Sequence, residues 1–381
     1  MDNVIRINIV GDFCIKETQN LQFGKELDSM LALSDLNIVN FEAPIYTNHS
    51  QPSSKSGPCL FQAPDAPKLL EKHHFNIISL ANNHIMDYGV EALENTINAF
   101  TQAKTIGAGS YDDIYKIHVF HVKGRKIGVL CITQFEFGIL PEKSFHKPQA
   151  KGTAWMCHPS IDELIVNAHQ LCDTLIVIPH AGLEYFEYPL PEIKALYRHF
   201  IALGADAVIG GHPHIPQPWE IYKNKPIVYS IGNFCFDKIF NKKFWNQGLL
   251  ASLEIEENKI NLQVKQIQYD YETHIVNFSN DSSFDTFCNL INQNFINEEQ
   301  YISIVNKKCL SLQQWYQKLF EYSGFFRPSI KKYLRIILSM IKRKYIIKQE
   351  LTFDNTHFIN NIRCETHRWV ISRIFELNRK E

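Results

Sequence analysis

The chain has 381 residues, of which 45% are hydrophobic and 21% are charged, and its formal net charge at pH 7 is -1. These values are typical of a globular protein with room for one large core or two domains. A net charge so close to zero argues against a nucleic acid as the partner of the whole chain.

The sequence carries no signal that would direct it into or across a membrane. No apolar run approaches the roughly 20 residues that span a bilayer. The first six residues enter a strand-like run without the basic, apolar and small-residue regions of a signal peptide. Nine cysteines without CxxC pairs fit reduced thiols rather than a disulfide framework. We therefore expect a cytoplasmic protein.

Short β-branched runs alternate with helical patterns up to about residue 268. The periodicity predicts buried strands at 7–10, 38–41, 77–80, 127–130, 175–178 and 207–209, and helices at 90–105 and 192–203. Three strands then follow one another, at 226–231, 248–255 and 260–267. An α/β body that ends in antiparallel strands indicates two packed sheets flanked by helices.

The character of the chain changes after Tyr269, which predicts two regions, 1–269 and 270–381. The second is expected to be mainly helical and to dock on the first, because apolar residues recur at helical spacing at Leu312, Trp315, Tyr316, Leu319 and Phe320. Residues 327–381 hold 13 Lys or Arg against 5 Asp or Glu, a net charge of about +8. Within them, the pattern at 329–348 predicts a basic amphipathic helix. It either packs on the body with its Lys and Arg snorkelling or lies on an anionic membrane surface.

Polar residues with metal-binding chemistry follow the predicted strands. They are Gly11-Asp12, Asn40-Phe41-Glu42, Asn82-Asn83-His84, His180 and Gly211-His212-Pro213-His214. Any one of them is more often a turn or core residue. Carboxylates, imidazoles and an amide oxygen together predict a two-metal hydrolytic site. Gly11 would let a ligand approach closely. An extended Gly-His-Pro-His segment would place both of its histidines on one side.

Longer stretches around these motifs resemble a known family. They include Leu80–Gly89, Gly107–Gly109, Pro179–Tyr185, Gly204–His214 and Lys225–Asp237. Together they are similar to the CapA capsule-synthesis (poly-γ-glutamate synthesis) family, which belongs to the calcineurin-like metallophosphoesterase superfamily. The resemblance covers about residues 4 to 268. It implies a four-layer α/β/β/α sandwich with metal ions at the strand ends.

The resemblance also implies roles for individual residues. Two divalent ions, with Mn, Zn, Fe and Mg as the candidates, would be held by Asp12, Glu42, Asn83, His180, His212 and His214. Asp12 and His214 would bind the first ion and Glu42 would bridge to the second. His84 would face the leaving group as a general acid, and Asp87 would orient its imidazole.

Three further residues are candidates for substrate contacts, namely Glu184, Tyr185 and Asn233. Their strand-end or loop setting suits that role, although Glu184 and Tyr185 could equally be packing and solvent residues. The sequence departs from the wider superfamily at Cys14, where a histidine is usual. We expect a buried free cysteine there, with a soft metal ligand as the alternative. Ala181 stands where the family commonly has tryptophan, which opens space beside the metal.

The sequence leaves two functions open. The first is metal-dependent hydrolysis of a phosphoester or a related bond in capsule or surface-polymer synthesis, acting on a small-molecule or polymer-precursor substrate. The second is a non-catalytic accessory or scaffold role in a capsule polymer synthesis or export complex. The basic C-terminal region would contact that machinery or the inner membrane face. No nucleic acid is expected. The sequence has no GxxxxGK[ST] motif, which excludes a P-loop ligase.

Overall fold

The computed structural model describes residues 4–47, 51–141, 150–237, 242–257, 259–322 and 356–379. The segment predicted at 329–348 lies outside these residues, and so do the side chains of Leu319 and Phe320. Within the described ranges, no helix is both long and apolar enough to cross a membrane.

The strands follow one another in chain order, and most of the predicted runs fall inside them. They are β1 (Ile5–Cys14), β2 (Gln22–Phe23), β3 (Leu36–Phe41), β4 (Ile77–Ser79), β5 (Lys104–Ile106), β6 (Ala108–Ser110), β7 (His118–Val122), β8 (Arg125–Thr133), β9 (Lys151–Thr153), β10 (Thr174–His180), β11 (Ala207–Ile209), β12 (Trp219–Tyr222), β13 (Lys225–Val228), β14 (Asn233–Phe236), β15 (Gln247–Ile255), β16 (Ile260–Asp270) and β17 (Ile275–Phe278).

The helices lie between the strands in the first part of the chain and follow one another after β17. They are α1 (Lys25–Leu33), α2 (Ala66–Lys72), α3 (Gly89–Ala99), α4 (Tyr111–Ile114), α5 (Pro159–Val166), α6 (Pro191–Leu203), α7 (Ser282–Ile296), α8 (Glu298–Ser311), α9 (Gln313–Tyr322), α10 (Thr356–Arg363) and α11 (Glu365–Asn378), with a short 3-10 helix at Ala168–Gln170.

Two large sheets form the centre of the molecule. The first has the order β2-β17-β16-β15-β1-β3-β4-β5, with β14 also paired to β1, and the second has the order β12-β13-β11-β10-β8-β7. Strands β1, β3, β4 and β5 run parallel to one another, as do β8, β10, β11 and β13. Because the carboxyl ends of parallel strands lie along one edge of a sheet, the polar residues that follow them are gathered there.

Alternating side chains place one apolar layer between the sheets and one outside each of them. Ile7 and Ile38 of the first sheet share a buried cluster with Val129 of the second. The neighbouring Val10 and Val39 pack instead with helices α1 to α3. On the outer face of the second sheet, Leu130 and its neighbours pack against helices α5 and α6. The predicted four-layer α/β/β/α sandwich is thus confirmed.

The helices after β17 contribute directly to this core. Phe284 of α7 is fully buried in the layer between the sheets. Tyr301 of α8 and Val370 of α11 are buried on the outer face of the second sheet. The first sheet itself extends beyond residue 269, because β17 pairs with β16. The boundary between 1–269 and 270–381 stays a prediction, and the described part of the second region is helical after Phe278.

One predicted helix is shorter than its sequence pattern indicates. The spacing predicted a helix over 90–105, whereas α3 ends at Ala99 and Lys104–Ile106 forms β5. These residues pair in parallel with Ile77–Ser79 at the edge of the first sheet. Sheet pairing therefore overrides the helical periodicity at this point. The second predicted helix is confirmed, since α6 ends at Leu203 and Gly204 follows it with φ 129°.

Candidate metal centre

Four of the six predicted ligands lie within contact distance of one imidazole, that of His180 at the end of β10. Its Nε2 atom lies 3.3 Å from Glu42 Oε1, 3.3 Å from Asn83 Oδ1 and 3.1 Å from His212 Nδ1. Its Nδ1 atom lies 3.8 Å from Asp12 Oδ1. The structure therefore brings β1, β10 and the loops after β3, β4 and β11 together at one point.

His214 joins the group through Asp12. Its Nδ1 atom lies 3.2 Å from Asp12 Oδ2. Ligand atoms of Asp12, Glu42 and His180 all lie within 4.8 Å of one another. All six predicted ligands are thus connected, and each is buried. Such a set of oxygen and nitrogen donors suits a borderline divalent cation.

Each of the two carboxylates has one oxygen without a directed hydrogen bond from the described residues. Asn40 Nδ2 donates a 2.7 Å hydrogen bond to Asp12 Oδ1 and another hydrogen bond to Glu42 Oε2. The remaining oxygens, Asp12 Oδ2 and Glu42 Oε1, are buried and have no well-directed hydrogen bond from the described part of the chain. A buried carboxylate oxygen without a directed hydrogen bond is unfavourable, and a bound cation would satisfy it. The residues therefore fit a metal ion.

The carboxylates raise the pKa of two of the three imidazoles, those of His180 and His214. Burial alone would lower the pKa of His214, but the contact with Asp12 and the charge of Glu42 raise it to about 10. Burial likewise opposes the charged form of His180, yet Glu42 and Asp12 raise its pKa. Burial, followed by the charge of His180, lowers the pKa of His212 well below its ordinary value. The carboxylates thus stabilise cations on their side of the centre.

The Gly-His-Pro-His segment reaches the centre in a conformation that differs from the prediction. His212 has φ 94° and His214 has φ 58°, so the segment is not extended and simple alternation does not place the two rings. Their centroids nevertheless lie only 6.2 Å apart. Non-glycine residues rarely adopt positive φ, and this strain must be offset by the contacts that the two imidazoles make.

His84 lies beside this group and is held by other partners. Its Nδ1 atom lies 2.6 Å from Asp87 Oδ2, and this carboxylate also accepts a 2.7 Å hydrogen bond from the backbone N–H of Leu60. When Nδ1–H donates to Asp87, the opposite nitrogen Nε2 is left for a substrate. The orienting role that the resemblance implied for Asp87 stays a prediction, and this contact is what it requires.

Lys55 is a site residue that the sequence did not reveal. Its side chain is only 3% exposed and forms an ion pair with Asp87. The Nζ atom lies 3.0 Å from His84 Nδ1 and donates a 3.3 Å hydrogen bond to the carbonyl oxygen of Asn83. Lys55 belongs to a loop rich in Ser and Pro without periodicity, so nothing in the local sequence separates it from an exposed lysine.

The thiol of Cys14 lies among apolar side chains. Its Sγ atom lies 3.9 Å from the carbonyl oxygen of Phe61, and its side chain packs with Leu60 and Trp245 in a small apolar cluster. Burial, reinforced by the charge of Glu42, raises the pKa of the thiol well above its ordinary value. The structure agrees with the expected buried free cysteine and not with a thiolate ligand.

Known proteins resemble the part of the chain that carries this geometry. The model of the family described as "Bacterial capsule synthesis protein PGA_cap" matches residues 7–238, well over half of the chain. The chain belongs to this family. The family is part of the metallophosphoesterase-like superfamily, so the resemblance inferred from the motifs is confirmed. All predicted site residues lie inside the matched segment, and helices α7 to α11 lie outside it.

Individual relatives agree with the family match. The chain is 29% identical over 253 residues to the capsule biosynthesis protein CapA of Bacillus anthracis, which covers 61% of this chain and 60% of that protein. It is 28% identical over 249 residues to the PGA biosynthesis protein CapA of Bacillus subtilis (strain 168), covering 62% and 64% respectively. The chain thus spans less than two thirds of the length of these curated relatives.

Among solved structures, a hypothetical protein from Thermus thermophilus is similar with a TM-score of 0.44 and 15% identity. The match covers 69% of this chain and 99% of that protein. Values this low carry no argument about function.

The three candidate substrate residues of this PGA_cap protein have different positions. Glu184 and Tyr185 line a cavity of about 750 Å³ together with His84 and His212. Tyr185, with φ 57°, also stacks on the ring of His214 at 6.1 Å between centroids. Asn233 is 2% exposed, its Oδ1 lies 2.9 Å from His214 Nδ1, and its Nδ2 donates to a backbone carbonyl. Because both ends of its amide are used, Asn233 is placed to orient His214 rather than to meet a substrate.

Helices from outside the family match form one wall of this cavity. The described residues that contribute to it include Trp315, Tyr316, Asn360, Arg363 and Thr366. The lining also includes Lys55 and Phe137. A second cavity of about 500 Å³ adjoins it at Glu184 and Tyr185 and is lined by three lysines, Lys242, Lys243 and Lys308. The candidate metal centre therefore adjoins a space with several cationic side chains.

Proposed function

We propose that this PGA_cap protein is a metal-dependent hydrolase of a phosphoester or a related bond, acting in the synthesis of a capsule or another surface polymer. One observation carries the proposal. Two buried carboxylates, each with an oxygen that lacks a directed hydrogen bond from the described residues, face three imidazoles and an amide oxygen at the strand ends. This donor set lies beside a cavity large enough for a substrate.

The residues divide into two groups around Glu42. Asp12 and His214 would hold one divalent ion, and Asn83, His180 and His212 would hold the other, with Glu42 between them. Divalent ions in such a site polarise the bond to be cleaved and make water more acidic.

His84 is the proposed general acid. Asp87 fixes its Nδ1 atom, so Nε2 can give a proton to the leaving group. Lys55 and Arg363 line the same cavity, and their positive charge suits an anionic small-molecule or polymer-precursor substrate. A cytoplasmic location, with attachment to the inner membrane face or to capsule-synthesis machinery through the basic C-terminal region, is part of the same proposal.

The test combines metal analysis with hydrolysis assays. The full-length protein is purified without chelator, its Mn, Zn, Fe and Mg content is measured by mass spectrometry, and hydrolysis of p-nitrophenyl phosphate and bis(p-nitrophenyl) phosphate is followed. We expect close to two ions per chain, and activity that EDTA removes and one of these metals restores. Asp12→Asn should lose metal and activity together. A wild-type protein that hydrolyses neither ester with any of the four metals would contradict the proposal.

A non-catalytic accessory role is the second candidate. It is favoured by Cys14, because its thiol contacts a backbone carbonyl and apolar side chains, which leaves Asp12, Glu42 and His214 as the predicted protein ligands of the first ion. The accessory role predicts near-zero metal content after purification. It also predicts that Asp12→Asn supports surface-polymer formation as well as the wild type does in the host cell.

A further inference from the structure

Residues 364–366, at the start of the last helix, contact residues 134–136, which follow β8. Thr366 Oγ1 donates a 2.6 Å hydrogen bond to Gln134 Oε1, and Glu365 Oε2 accepts a 2.8 Å hydrogen bond from the backbone N–H of Phe135. Cys364 Sγ lies 3.7 Å from Glu136 Oε1. Residues 364–366, here called the C-terminal clamp, are all buried.

Glu365 shows that the clamp is a buried and hydrogen-bonded contact. Its side chain is only 3% exposed, yet both carboxylate oxygens have N–H donors, from Phe135 and from the indole of Trp155. The Nη2 atom of Arg368 lies 3.8 Å from Glu365 Oε1. Removing a carboxylate from water is unfavourable unless it is well hydrogen-bonded, as this one is. The start of α11 is therefore anchored to residues 134–136.

Gln134 connects the clamp to the metal centre. It is 1% exposed, and its Oε1 accepts a second hydrogen bond of 3.0 Å from the backbone N–H of Gly182. Because two donors hold this oxygen, the amide nitrogen is turned the other way, and it lies 2.9 Å from His212 Nε2. Thr366 is thus separated from the imidazole of His212 by a single side chain.

His212 is a residue whose orientation needs such support. Its backbone has φ 94°, and its other ring nitrogen, Nδ1, lies 3.1 Å from His180. The amide nitrogen of Gln134 is a donor, so it meets Nε2 in its unprotonated form and influences which ring nitrogen of His212 carries the proton. Groups that contact the second nitrogen of a ligand imidazole typically change metal affinity by about 10–100-fold when they are removed. In this protein the orienting group, Gln134, is itself held by a residue from the far end of the chain.

We propose that the C-terminal clamp is part of the metal centre, and that Thr366 is a positioning residue that holds Gln134 against His212. The inference rests on the proposed function, because it assigns His212 to one of the two ion positions. It also means that the helices outside the PGA_cap match contribute to the chemistry of the site and do more than attach the protein to partners.

The test compares three variants of the full-length protein. Thr366→Val removes the hydroxyl and keeps the shape, Thr366→Ser keeps the hydroxyl, and Ser372→Ala removes a hydroxyl from an exposed position of the same helix. Metal-stripped samples are titrated with Mn²⁺ by calorimetry. We expect Thr366→Val to change the affinity of one of two binding steps by about 10-fold or more, while the other two variants bind like the wild type.

A second readout does not depend on metal. The ¹⁵N chemical shifts of the His212 ring, measured in metal-free protein, should differ from the wild-type values in Thr366→Val. They should equal the wild-type values in Thr366→Ser. Unchanged shifts together with unchanged Mn²⁺ affinity in Thr366→Val would overturn the inference. If the wild type binds no Mn²⁺, the proposed function fails, and the ring shifts still decide whether Thr366 positions His212.

Discussion

Replacing Gly11 by alanine tests how closely the fold and the metal centre depend on one backbone contact. The sequence suggested that Gly11 leaves room for a ligand. In the structure the room is taken by the chain itself, because a Cβ atom at Gly11 would overlap the carbonyl oxygen of Gly232. That carbonyl accepts a 3.2 Å hydrogen bond from the backbone N–H of Asp12, and β14, which pairs with β1, begins at Asn233.

The cost of the substitution follows from these contacts. Forcing extra atoms into a packed site costs about 1–3 kcal/mol, and leaving a buried carbonyl without its donor costs about 1–3 kcal/mol more. Gly11→Ala should therefore destabilise the protein by roughly 2–6 kcal/mol. It should also weaken metal binding, because the strand that carries Asp12 must move.

Gly211→Ala is the matched control. Its Cβ atom would lie 3.6 Å from Asp12 Oδ1 and 3.6 Å from His180 Nδ1, which is ordinary contact at the same site. Unfolding by urea, followed by circular dichroism on metal-free protein, should show a large loss for Gly11→Ala and a change within about 1 kcal/mol for Gly211→Ala. Equal stability of Gly11→Ala and wild type would refute the proposed close approach of β1 and β14.

Three further outcomes are expected. His84→Ala should keep its metal content and lose about 10²-fold or more in turnover; loss of bound metal would show that His84 is a ligand, and unchanged turnover would remove it from the mechanism. Cys14→Ala should bind the same amount of metal by mass spectrometry, since its thiol faces Phe61, and a fall to one ion per chain would restore the thiolate alternative. Replacing the lysines and arginines of residues 329–348 by glutamine should reduce co-sedimentation with anionic vesicles, and equal co-sedimentation of this variant and the wild type would exclude a membrane role for the basic region.

Much of the scaffold could be predicted from the sequence because its signals are local. Runs such as Leu175 to Ile178 are apolar and β-branched, which suits a strand covered on both faces, and β10 contains this run. Polar residues that follow such strands must meet where parallel strands end, and the structure places Asp12 within contact of His180 and His214. These predictions needed only residue type, spacing and the geometry of a parallel sheet.

Other features depend on contacts between residues far apart in the chain, and no local pattern encodes them. Lys55 is buried only because its loop folds over Asp87, 32 positions later. Thr366 meets Gln134 across 232 positions. The end of α3 was likewise decided by the pairing of Lys104–Ile106 with β4 and not by its own periodicity.

One physical cause separates the features that the sequence predicts from those that it does not. Hydrophobic periodicity specifies which face of a strand or helix is buried, so the sequence alone indicated two packed sheets flanked by helices and placed the predicted ligands at strand ends. A hydrogen bond or ion pair between distant segments depends on where complete elements pack. Tertiary structure alone therefore decided that Gly11 makes room for a carbonyl, that Asn233 contacts His214, and that the last helix contacts Gln134 beside the candidate metal centre.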